Sequence, residues 1–93
     1  MLDIRVSGDT IALAGRFDSS QVEKADRVFS ELVRPTTVDL AGLDYLSTAG
    51  IAVLVRAYKR LHGEGHDLKL QNPKEAIRNI LRVAGLDKVF TIG

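Results

Sequence analysis

The run Thr36-Thr37-Val38-Asp39-Leu40-Ala41-Gly42-Leu43-Asp44-Tyr45-Leu46-Ser47-Thr48-Ala49-Gly50-Ile51 decides the fold. Its first five residues are short and β-branched, and Ala41-Gly42 closes them, so Thr36 to Leu40 reads as a strand. A loop, Leu43 to Leu46, follows. Ile51, Leu54, Val55, Tyr58 and Leu61 then recur at helical spacing and predict a helix from Thr48 to Leu61, ended by the glycines of Leu61-His62-Gly63-Glu64-Gly65. A strand running directly into an amphipathic helix is half of a βαβ unit.

Outward from this centre the same alternation continues. Upstream, Leu2, Ile4 and Val6 alternate with Asp3, Arg5 and Ser7, and Thr10 to Gly15 forms a second strand after the turn Gly8-Asp9, giving an edge hairpin. Asp18-Ser19-Ser20 offers N-cap residues, with Ser20 and Glu23 at capping-box spacing. Val22, Ala25, Phe29, Leu32 and Val33 then mark a helix that Arg34-Pro35 stops. Downstream, Asp67 to Gln71 is a strand. Asn72-Pro73-Lys74-Glu75 supplies a helix start, with Asn72 as cap, proline at the first helical position and glutamate at N3. Ile77, Ile80, Leu81 and Ala84 form that helix's apolar stripe, Gly85 ends it, and Val89 to Ile92 is a last short strand. The order β-β-α-β-α-β-α-β implies right-handed crossovers and a mostly parallel five-stranded sheet with an N-terminal edge hairpin: one α/β domain over residues 1–93.

Composition narrows the chemistry. With 93 residues the chain has room for one sheet and a few helices, and little for a deep catalytic cavity. There is no cysteine, which excludes disulfides, thiolate chemistry and cysteine-ligated zinc. Thirteen basic and twelve acidic residues are interleaved rather than gathered into a basic stripe, so direct nucleic-acid binding is not expected. No apolar run approaches the ~20 residues that cross a bilayer, and the alternating, early-acidic start is unlike a signal peptide. No membrane insertion is expected, and the location expected is the cytoplasm.

Reactive constellations are sparse. His62 and His66 stand four apart, but a glycine-broken loop does not hold two ligands rigidly, and they read as exposed loop histidines. There is no phosphate-cradling glycine motif and no local nucleophile with its base. Asp39 and Asp44 flank the end of the third strand, where α/β proteins bind ligands. A metal or acid–base pair there is one reading, and capping of loops and helix starts is the favoured one. No catalytic residue, cofactor or metal is expected.

The loop before the central helix is informative through its position. Ser47 or Thr48 would cap that helix, and Ala49 and Gly50 are small enough to leave the backbone and hydroxyls there unshielded. If Ile51, Leu54, Val55 and Tyr58 are buried, then Ala49, Val53, Arg56 and Arg60 fall on the opposite face. Val53 beside Ala49 and two arginines would centre either a partner-binding patch or an ordinary solvated face.

At this point the residues resemble a known family. Val38-Asp39-Leu40, followed by Asp44-Tyr45-Leu46-Ser47-Thr48-Ala49-Gly50-Ile51, is similar to the signature of STAS-domain anti-sigma-factor antagonists. Leu13-Ala14-Gly15-Arg16-Phe17-Asp18 resembles the close of that family's second strand. Pro73, Ile80-Leu81, Ala84-Gly85-Leu86 and Val89-Phe90 resemble its last helix and strand. The resemblance implies a binding protein, not an enzyme. Its implied partner is an anti-sigma factor that is also a serine/threonine kinase of the histidine-kinase-like ATPase class. Phosphorylation by that kinase weakens the complex, and a serine/threonine phosphatase restores it. Aligned through Gly50, the implied acceptor is Thr48, with Ser47 as the alternative in a place where many members carry aspartate. Asp18 and Ser19 lie in a loop that the family uses near its partner. The partner surface expected from all of this comprises Asp18, Ser19, Ser47, Thr48, Ala49, Gly50, Val53 and Arg56. Some STAS domains instead serve as constitutive subunits of membrane transporter complexes, which is the alternative role.

Overall fold

In the computed structural model, which describes residues 1–93, Leu2–Ser7 (β1) and Thr10–Phe17 (β2) form the antiparallel edge hairpin. Gly8, at φ +58°, takes the first central position of its two-residue turn, where a side chain would be strained. The sheet continues in parallel through Thr36–Leu46 (β3), Leu68–Gln71 (β4) and Thr91–Ile92 (β5), in the spatial order β1-β2-β3-β4-β5. The expected architecture is the observed one. Because each crossover steps in the same direction, right-handed connection lays the helices Val22–Ser30 (α1), Thr48–Gly63 (α2) and Glu75–Val83 (α3) over one face of the sheet. The opposite face carries Asp3, Arg5, Lys69 and Gln71 and stays exposed.

Between sheet and helices lies a single cluster of 20 buried apolar residues, Phe17, Phe29, Leu54, Leu61 and Ile77 among them. The strand spacing that builds it departs from simple alternation. In β3 the buried positions are Thr36, Val38, Leu40, Leu43 and Leu46, so the repeat of two becomes a repeat of three twice. Register shifts against β2 between Ala12/Ala14 and Gly15/Arg16 absorb the two extra residues as bulges. The segment Leu43 to Leu46, expected as a loop, is therefore strand. Past Asp39 it outruns β4 and pairs only with β2, forming a two-stranded arm that ends at Phe17 and Leu46.

Other boundaries move for identifiable reasons. α1 stops at Ser30, four residues before Arg34, in a tightened turn where Glu31 and Leu32 N–H groups bond Val28 and Phe29 carbonyls, both at 3.3 Å. Val33, expected in the stripe, is consequently 67% exposed. α3 begins at Glu75 rather than Pro73. Asn72 sits at φ +59° with its N–H on the Gly93 carbonyl (3.2 Å), and its side chain reaches Asp39, so this turn is tied to the strands and does not cap the helix. Ala84, expected in that helix's stripe, is its exposed C-cap. The expected last strand, Val89 to Ile92, is shortened to Thr91–Ile92, because the 3-10 turn Leu86–Lys88 before it runs on through Val89, and Phe90 N–H closes onto the Leu86 carbonyl at 2.8 Å.

The helix α2 lies between α1 and α3, and that position sets its burial. Its buried residues are Gly50, Val53, Leu54, Ala57 and Leu61. The expected stripe of Ile51, Val55 and Tyr58 is the half-buried flank turned toward α3 and the segment before β5, where Tyr58 meets Phe90 with ring centroids 5.0 Å apart. Val53, expected on the wet face, is fully buried. A helix with neighbours on both sides buries an arc wider than one stripe, and the expected phase caught only one border of it.

Candidate functional site

The end of the β2–β3 arm delivers the residues singled out above. Where β3 runs out, the Ser47 N–H donates to the Phe17 carbonyl (2.9 Å), so the head of α2 is hooked to the last residue of β2. Asp18 and Ser19 follow Phe17, and the 3-10 turn Ser19–Gln21 packs against α2. Asp18, Ser19, Ser47, Thr48, Ala49 and Gly50 thus form one end of the molecule.

The two adjacent hydroxyls are not equivalent. Ser47 is the N-cap: its backbone is extended, and its Oγ accepts from Gly50 N–H at 3.1 Å. Ser47 is half-buried. Thr48 is the first helical residue, exposed, and its hydroxyl makes no hydrogen bond within the chain. The N–H groups of Thr48 and Ala49 head the helix without acceptors in the chain, so this end carries the positive pole of a sixteen-residue helix. Both hydroxyls were offered as caps on sequence; the geometry gives the cap to Ser47.

Gly50 holds this end close to the core. A Cβ there would stand 3.0 Å from Phe17 Cδ1, Phe17 Cγ and Leu46 Cδ1, tighter than ordinary contact, and Phe17 is fully buried. The absent side chain lets α2 descend onto the end of the arm. Gly15, at φ +92°, is required by its backbone, since a Cβ would meet the Met1 carbonyl oxygen at 2.3 Å.

Asp18 caps the 3-10 turn, which displaces the expected Ser20–Glu23 capping box. Its carboxylate accepts from the Ser20 hydroxyl and from Ser20 N–H (3.0 Å). These bonds, the hydroxyl's first, lower its pKa below the usual value against an opposing desolvation, and the N-terminal ammonium and Arg16 assist. Arg16 itself lies over the Tyr45 ring, 4.4 Å from its centroid. Asp44 pairs with Lys74, and Asp39 accepts from Ala41 N–H at 3.0 Å and from Asn72 at 3.4 Å. The two carboxylates serve different partners, and Asp39 lies within β3, not at its end. His62 stacks on Tyr58 with centroids 5.3 Å apart.

Two expected contact residues belong elsewhere. Val53, being buried, presents nothing to a partner. Arg56 is exposed two turns along, on the α1 side, and bridges to Asp26 at 2.7 Å. Conversely, an apolar groove escaped the sequence reading. Ile51, Ile80, Val83 and Ala84, with Asn79, line an open hollow of about 370 Å³ between the first turn of α2 and α3. Val83 is 85% exposed there. The signal was available: Val83 is an apolar residue off the α3 stripe.

Comparison with known proteins agrees with this architecture. A family model described as "Mlab, STAS domain" matches residues 1–92. The chain belongs to the STAS-domain family. A Bordetella bronchiseptica protein named as an anti-sigma factor antagonist, BtrV, is 28% identical over 93 residues, covering 95% of this chain and 80% of its own length. Among solved structures, a Thermotoga maritima protein named as an anti-sigma factor antagonist superposes with a TM-score of 0.83 at 17% identity, over 98% of this STAS domain and 84% of that chain. Phosphorylated SpoIIAA, the Bacillus cell fate determinant, does so at 0.72 and 17% identity, over 100% and 91%. No helix in this STAS domain is long and apolar enough to cross a membrane.

Proposed function

We propose that this STAS domain is an anti-sigma-factor antagonist whose grip on its partner is controlled by phosphorylation of Thr48. The partner is an anti-sigma factor that doubles as a serine/threonine kinase of the histidine-kinase-like ATPase class, opposed by a serine/threonine phosphatase. The observation that carries this reading is the division of labour at the head of α2: Ser47 oxygen is committed to Gly50 N–H, while Thr48 hydroxyl is exposed and unbonded. Thr48 Oγ1 would attack the γ-phosphorus of ATP, ADP would leave, and the hydroxyl proton would pass to a base on the kinase. The product gains about 1.5–2 negative charges at pH 7.

That charge falls at a helix N-terminus with free N–H groups, where anions are accommodated, so the fold tolerates it. A partner pressed over Asp18, Ser19, Ala49 and the Gly50 backbone meets a bulky dianion that it must desolvate. Its apolar contact on this side is the Ile51–Ile80–Val83 groove, which takes the place expected of Val53. Arg56 lies at the α1 border of the surface and contributes only if its bond to Asp26 opens.

The test is incubation with the cognate kinase and magnesium ATP, with phosphate mapped by mass spectrometry. Incorporation at Thr48, and weaker partner binding by Thr48→Asp, are expected. Phosphate at Ser47 alone reassigns the acceptor, and phosphate at neither overturns the switch. A stable complex with a permease or its ATPase that ignores Thr48→Asp is the behaviour of a constitutive transporter subunit instead.

A further inference from the structure

The edge strand β1 carries a second surface, remote from Thr48. Hydrogen bonding along β1 alternates in direction. Arg16 N–H donates to the Met1 carbonyl (2.9 Å), so Met1, Asp3, Arg5 and Ser7 bond toward β2. Leu2, Ile4 and Val6 turn their backbone groups outward. Those of Leu2 are taken: its N–H reaches Gln21 Oε1 (3.2 Å), and Lys24 Nζ donates to its carbonyl (2.8 Å). Those of Ile4 and Val6 are open. Beside Val6, a groove of about 210 Å³ is lined by Val28, Leu32 and Val33 and flanked by Glu31 and Arg34. Val6 is 59% and Val33 67% exposed. Thr36, at the start of β3, also lines this groove, whereas Thr48 follows the end of that strand.

We propose that this edge binds a second copy of the chain, β1 against β1 and antiparallel, about a two-fold axis through Val6. Elimination selects the register. Pairing Ile4 with Ile4 sets Leu2 against Val6 and must pull Gln21 and Lys24 off Leu2. Pairing Ile4 with Val6 puts Arg5 directly against Arg5, about 4.5 Å apart at Cα, a repulsive arrangement. Pairing Val6 with Val6 disturbs neither side chain. It sets Arg5, bridged to Asp3 of its own copy (3.0 Å), against Ser7, with Arg5 and Asp9 of the other copy on the two diagonals at ~7–8 Å, so the like charges are no longer directly opposed. It also lays the two Val6–Val33 patches together, with Glu31 of each copy offered to Arg34 of the other, whose guanidinium bridges Asp9 of its own copy at 3.4 Å and is still largely exposed. The face thus holds two acids and two bases around an apolar centre, which suits an isologous contact. With few ladder bonds it belongs to the small, weak class of interfaces, below about 1,200 Å².

The absence of cysteine makes the test specific. Single substitutions Ile4→Cys, Arg5→Cys and Val6→Cys, with Lys59→Cys on the exposed face of α2 as control, are oxidised mildly and the disulfide dimer is followed on non-reducing gels. A hydrogen-bonded antiparallel pair at the axis holds Cα atoms about 5.5 Å apart, inside the range a disulfide spans. Val6→Cys should cross-link at least tenfold faster than the other three. In sedimentation velocity, the unsubstituted chain should show a weight-average mass that rises with concentration, and Val33→Lys should abolish the rise. Equal rates at all four positions, faster cross-linking at position 4 or 5, or a monomer at every concentration would overturn the proposal.

Discussion

The two neighbouring hydroxyls at the head of α2 should separate experimentally into one that holds the fold and one that does not. Ser47→Ala removes the oxygen 3.1 Å from Gly50 N–H and leaves that donor unpaired on a buried residue. Loss of an N-cap side chain costs about 1 kcal/mol, within a range of about 0.5–2, and burial of the orphaned donor favours the upper half. In a domain of this size each kcal/mol moves the melting temperature by roughly 4–8 °C, so Ser47→Ala, at about 1.25–2 kcal/mol, should melt about 5–16 °C lower. Thr48→Ala removes an exposed hydroxyl with no bond in the chain and installs a better helix former, worth about 0.5 kcal/mol. Its melting point should stay level or rise by a few degrees. Thermal unfolding followed by circular dichroism, with urea titrations to check that the m-value is constant, measures both. Equal losses in the two variants, or a larger loss in Thr48→Ala, would refute the assignment of cap and free hydroxyl.

Two further outcomes follow from the packing and the charges. Leu43→Ala should cost about 2–5 kcal/mol in a urea melt, because Leu43 is a fully buried strand residue; a loop residue would lose less than about 1 kcal/mol. For Asp18, the folded-state pKa lies below the unfolded one, so its ionised carboxylate favours the fold above the unfolded value, and this is lost as pH falls through the folded value, from about 4 downward. NMR titration should show the Asp18 carboxyl turning over below the ordinary aspartate value of about 4, and Ser20→Ala should raise it toward that value.

The sequence carried the element order because each helix and strand has its own period and its own punctuation. The hairpin was legible in the alternation of Leu2, Ile4 and Val6, and the parallel sheet in strands separated by amphipathic segments. What stayed hidden depends on neighbours. Leu40, Leu43 and Leu46, spaced by three, look unlike a strand until the two bulges against β2 are known. The phase of α2 was misjudged at Val53 because burial there comes from α1, whose position no local pattern states. Asn72 has every feature of a cap, yet bonds to Gly93 and Asp39, the first of them 21 residues away in sequence. At the head of α2, sequence offered both Ser47 and Thr48 as cap, and the choice between them needed the three-dimensional structure.

That choice bears on how a phosphate could act as a switch. At the helix N-terminus the added charge is worth about 0.3–1 kcal/mol in favour of the fold, so the modified domain should not loosen. Gly50 is seated on Phe17 and Ser47 N–H is hooked to the Phe17 carbonyl, which leaves the local backbone little room to rearrange in response. A hundredfold loss of partner affinity requires about 2.7 kcal/mol, and it must then arise at the interface. Arg16 and Lys74, the basic side chains on the segments feeding this end, are engaged with Tyr45 and Asp44. A phosphate under a closely packed partner would therefore be desolvated without a free cation from these two residues. Burying an uncompensated charge costs several kcal/mol, enough to open the complex while the domain stays folded.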